Sequence, residues 1–89
     1  MAEEVIVEPP YVSRLENALK QELDGAEVRH EQLRADRYRF EVLWPAFDAM
    51  EHPERQRIVW DIVERSLDKK DFMKVSMIIT IGDEDLPKE

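Results

Sequence analysis

Within one stretch, Phe40–Ile62, the spacing of apolar residues changes from two to about 3.6, and this limits what the chain can become. Tyr38, Phe40, Val42 and Trp44 alternate with Arg39 and Glu41, which predicts a strand with one dry side. Pro45 lacks the N–H a ladder needs and closes it. Ala46–Met50 predicts a short helical turn. Pro53 suits the first turn of a helix, with His52 or Asp48 at the cap position. Beyond it Ile58, Val59, Ile62, Val63 and Leu67 give a broad apolar face, while Arg55, Arg57, Asp61, Glu64, Arg65 and Asp68 lie mainly elsewhere. Lys69 and Lys70 complement the dipole at that helix's C-terminus.

The rest of the chain supplies partners for these two elements. Leu15, Leu19 and Leu23 form one helical stripe over about 12–23, opened by a Ser13–Glu16 capping box and stopped by Asp24–Gly25. Residues 26–33 alternate as a half-buried strand, and the turn 34–37 joins it to the strand at Tyr38 as a hairpin of unspecified register. Met73, Val75, Met77, Ile79 and Ile81 predict a last strand, with Ile78 as the exception on its wet face. The order α-β-β-(α)-α-β predicts an α+β domain: a three-stranded mixed sheet with helices on one face. The open face is expected to carry Arg29, Arg37, Arg39, Glu41, Lys74 and Thr80.

Length and charge narrow the function classes. A chain of 89 residues is one small domain. It has no cysteine, hence no disulfide, thiolate metal site or cysteine nucleophile. No apolar run approaches the roughly 18 residues that span a bilayer, and the acidic start is unlike a signal peptide, so a cytoplasmic protein is the default. The net charge of −8 sits mostly at the ends: Glu3, Glu4 and Glu8 give −3, and Asp83, Glu84, Asp85 and Glu89 against Lys88 give −3. Residues 1–9 therefore read as an acidic leader, 10–82 as the domain and 83–89 as an acidic tail. This field disfavours nonspecific nucleic-acid binding, which depends on neutralising phosphates.

The opening stretch resembles the BolA-like family, which shares this element order and is related to the type II KH fold. In that family an Ala-Phe pair precedes, by a fixed spacing, the two arginines of an Arg-His-Arg motif, then two aliphatic residues and an aromatic one. Here Ala46–Phe47 is followed at those distances by Arg55-Gln56-Arg57 and Ile58-Val59-Trp60. Met73-Lys74-Val75-Ser76 matches the family's Ile-His-Ala-Leu at the last strand. The resemblance implies a partner of monothiol glutaredoxins that helps hold or pass a [2Fe–2S] cluster through that His and a His or Cys in the first hairpin. Here those places hold Lys74 and the loop Arg34-Ala35-Asp36-Arg37, the central His of the motif is Gln56, and a family glycine is Ala49. An ammonium has no lone pair to give iron, so cluster ligation does not carry over.

His30 and His52 share no ligand spacing, and a core place and a cap suffice for them. A KH-type loop needs Gly-x-x-Gly against a phosphate backbone; Ala49-Met50-Glu51-His52 has no glycine and carries an acid. Ser13, Ser66 and Ser76 have no base by motif. Arg55 and Arg57 point about 200° apart on a helix and form no single patch. One is expected in an ion pair with Glu51, Glu54 or Asp61, the other at a surface. Trp60 lies one step off the buried stripe and suits an interface anchor. The function expected is a non-enzymatic protein-interaction or adaptor domain, with Arg55, Arg57, Trp60 and Lys74 as partner-contacting residues and another protein as partner. A KH-like nucleic-acid-binding domain and an iron–sulfur partner of a monothiol glutaredoxin stay open as second and third readings. No cofactor, metal, small-molecule substrate or membrane contact is expected.

Overall fold

Two prolines set the first helix. Pro10 stands at its first position, where a missing N–H costs nothing and a fixed φ helps. In the computed structural model, which describes residues 9–86, α1 (Pro10–Glu22) therefore starts before the expected Ser13 box. Ser13 is exposed, and Glu16 turns instead to Lys20 and His30. Gly25, with φ of +86°, makes the reversal after the helix. The hairpin of β1 (Glu27–Arg34) and β2 (Arg37–Leu43) follows, antiparallel, with Val28 opposite Val42 and His30 opposite Phe40.

After β2 a 3-10 turn (Pro45–Ala49) leads into α2 (His52–Ser66). The cap position of α2 belongs to Glu51, with no side-chain cap bond; His52 is the first helical residue, and Asp48 is engaged elsewhere. Lys69 and Lys70 do not end α2. They open a separate single turn, α3 (Lys69–Phe72), because the Asp68 carboxylate accepts the Asp71 amide at 2.9 Å and restarts the helix. β3 (Val75–Ile81) then pairs parallel with β2, giving a three-stranded sheet in the order β1-β2-β3.

Phe40 and Val42 on the central strand are fully buried beneath Tyr11, Val12, Leu15 and Leu19 of α1 and Val59, Ile62 and Val63 of α2. Each such side chain contributes roughly 1.5–3 kcal/mol by leaving water. The architecture is α+β, with the mixed sheet and helical cover expected from the element order.

The phase of β3 differs from expectation. A bulge sets Tyr38 against Val75 but Arg39 against Met77, and one extra residue reverses which side chains face the helices. Ile78 and Thr80 are buried, whereas Met77 is exposed and Ile79 and Ile81 only half-buried. Thr80 thus leaves the open face, and Lys74 precedes the strand. Leu43, Met77, Ile79 and Ile81 join Arg29, Arg39 and Glu41 there. Residues 83–86, expected as tail, include a second 3-10 turn (Asp83–Asp85) bonded to the domain. Residues 1–8 of the expected 1–9 leader and 87–89 of the expected tail lie outside the described residues. Among the described residues, no helix is long and apolar enough to cross a membrane.

Candidate partner-docking surface

The opening of α2 sends its two arginines to opposite sides. Arg55 goes inward and is 6% exposed. Its Nε donates to the Met50 carbonyl at 3.1 Å, its Nη1 donates to Asp85 Oδ2 at 2.7 Å, and its guanidinium lies 5.7 Å from the Phe47 ring centroid. The partner is thus Asp85, not Glu51, Glu54 or Asp61. Asp85 also accepts the Gly82 amide at 2.8 Å. That bond first, and the guanidinium next, hold its carboxyl below the ordinary value. Gly82 is needed for space rather than for φ: a Cβ there would run into the Asp48 carboxylate, which accepts the Glu84 amide at 3.0 Å.

Arg57 is exposed on the other side. It lines a shallow groove with Trp60, Asp61, Glu64 and Phe72, which continues past Leu67 and Lys69. Trp60 is half-buried, its ring edge-on to Phe72 at 5.5 Å. Its indole N–H donates to Gln56 Oε1 at 3.0 Å, and Gln56 Nε2 donates to the Ile78 carbonyl at 3.0 Å. Gln56 thereby ties α2 to the outer edge of β3 and fixes the indole, leaving part of an aromatic face to solvent. Phe72 belongs to this groove but was not anticipated, because the Lys69–Phe72 turn was not; a Phe four residues beyond Asp68 was the signal available.

Lys74 sits apart from this groove. Its Nζ lies 3.5 Å from Asp36 and 3.8 Å from Asp71, tying the hairpin turn to the start of β3. Tyr11 reinforces the corner by donating to the Asp36 carbonyl at 2.7 Å. Burial, and next the field of Tyr38, push that phenol up to about 12. A cluster iron takes thiolate or imidazole donors; Lys74 is an ammonium held between two carboxylates and offers neither, so this corner does not fit that group. His30 packs against Tyr38 and Phe40 and meets the Glu16 carboxylate at 3.0 Å. Other arginines are also interspersed with acids: on the sheet Arg29 pairs with Glu27 and Arg39 with Glu31, and late in α2 Arg65 pairs with Glu22 and Asp61. Of the four residues singled out in the sequence, the structure brings Arg57 and Trp60 together, turns Arg55 inward and holds Lys74 at a different corner.

No family model and no curated protein sequence matches the chain. Among solved structures, BolA1 from Arabidopsis thaliana superposes with a TM-score of 0.69 at 21% identity, over 89% of this chain and 99% of that one. With the α-β-β-α-α-β order in place, that likeness shows that the chain carries the BolA-like fold.

Proposed function

We propose that this chain is a non-catalytic protein-docking domain that grips a partner protein through the groove between α2 and α3. The observation that carries this reading is Trp60: a half-buried indole, fixed by Gln56 and Phe72, with Arg57 beside it. An aromatic ring already held in one rotamer loses little entropy on binding, and an adjacent arginine adds a planar donor fork. Asp61 and Glu64 along the same groove repel phosphate and suit a protein surface of mixed charge better than a nucleic-acid backbone. Lys74, at the ligand position, offers no donor for the cluster-handling role that the family resemblance implies.

Affinity capture with the native chain and with Trp60→Ala, both confirmed folded by circular dichroism, tests the proposal. A partner protein retained by the native chain and lost by the variant is expected. Identical capture by both would contradict it. Single-stranded RNA titrated at low salt is expected to leave the Arg57 and Trp60 amide resonances unmoved; shifts there would favour the nucleic-acid reading.

A further inference from the structure

Asp85 occupies a receptor that is built without it. Arg55 is oriented by the Met50 carbonyl and the Phe47 ring, both upstream of the second 3-10 turn. The carboxylate in front of it is supplied by the segment 83–86, every residue of which is exposed, Leu86 included. That segment is held by polar links: Asp85 to Arg55, Asp85 to the Gly82 amide, and the Glu84 amide to Asp48. A segment bound by polar links and no buried apolar side chain opens far below the free energy of global unfolding. Its departure uncovers a guanidinium still oriented by the Met50 carbonyl and the Phe47 ring, whose fork matches a carboxylate.

We propose that the Arg55–Asp85 contact is exchangeable, and that Asp85 stands in for an acidic side chain of a partner protein, which docks on Arg55 and Gly82 when the 83–86 segment lifts. The internal carboxylate competes at an effective concentration on the order of millimolar, so it sets a threshold that weak acidic ligands do not cross. Opening gives up the charge-assisted Arg55–Asp85 hydrogen bond, so the segment closes again when no acid replaces it. This site lies on the opposite side of α2 from the Trp60 groove and does not depend on that groove binding anything.

The test uses the peptide acetyl-Gly-Asp-Glu-Asp-Leu-amide, the chain's own 82–86 sequence, titrated into labelled protein at 0.15 M salt and followed by NMR. With Asp85→Ala, the Arg55 Nε–H and Gly82 amide resonances are expected to shift at a peptide concentration at least tenfold lower than for the native chain. The peptide with Asn at its fourth position is expected to be inert. No shift in the variant, equal response in variant and native chain, or a response to inorganic phosphate alone would overturn the proposal. Hydrogen exchange on the native chain needs no variant: the Gly82 and Glu84 amides are expected to exchange at least tenfold faster than those of Phe40 and Val42. Exchange at the same rate as the core would show that the segment does not lift, and would overturn it too.

Discussion

Arg55 and Arg57 stand two residues apart on α2, are chemically identical, and meet different surroundings. Arg55 faces the Phe47 ring, a backbone carbonyl and Asp85, and is buried. Arg57 faces solvent across a groove shared with Trp60 and Phe72. The helix repeat separates them, and the segments placed on either side decide the outcome. The inner side of α2 is a clasp that joins the first 3-10 turn to the second; the outer side offers an aromatic edge. A motif of two arginines therefore carries two unrelated physical roles, and substitutions on the two sides are expected to read out differently.

The largest effect belongs beneath the clasp. Phe47→Ala removes a fully buried ring and the platform under Arg55, and about 3–5 kcal/mol of stability should be lost in urea unfolding. Trp60→Ala is expected to lose less than that, since its ring is only half-buried; an equal loss would mean that the outer side is core and not a surface. Gly82→Ala comes next. The new Cβ must displace the Asp48 carboxylate from the Glu84 amide, at a cost of about 1–3 kcal/mol, and the Glu84 amide should lose exchange protection. Lys74→Met should change stability by under about 1 kcal/mol, because its two ion pairs are partly solvated.

The smallest effects are set by pH, and they mark the two corners separately. Asp85 has its carboxyl lowered in the folded state. Its contribution is therefore present above the ordinary value of 3.8 and is lost as pH falls through the lower folded value. Acid titration should thus move the Gly82 amide resonance only below the ordinary carboxylate value, as Asp85 protonates. Tyr11 is raised from 10.0 to about 12, so its contribution is full below pH 10.0 and is lost as pH rises through about 12. Alkaline unfolding should begin in that window, and Tyr11→Phe should lessen the alkaline loss.

Much of the fold was legible because the strongest elements obey one period each. The alternation of Tyr38, Phe40 and Val42 and the α2 stripe of Val59, Ile62 and Val63 are borne out by their burial. β3 was legible as a strand but not in phase. Met77-Ile78-Ile79 is apolar on both parities, so the pattern fits either side, and a bulge that no residue type announces selects Ile78. The ends of helices also departed, since Pro10 made the Ser13 box unnecessary and Asp68 started a turn where two lysines read as a stop. Of the candidate site, the adjacency of Arg57 and Trp60 followed from helix spacing. The burial of Arg55 did not, because its partner lies 30 residues away in a segment whose composition reads as solvated tail.

Urea unfolding of Arg55→Met and Arg57→Met, measured side by side, tests most directly whether the inner and outer sides of α2 are different in kind. Arg55→Met removes two hydrogen bonds from a buried guanidinium, one of them to a carboxylate, and should lower stability by about 2 kcal/mol. Arg57→Met should stay within about 0.5 kcal/mol of the native chain. Equal losses, or a larger loss at Arg57, would contradict the division of α2 into an inner clasp and an outer docking edge.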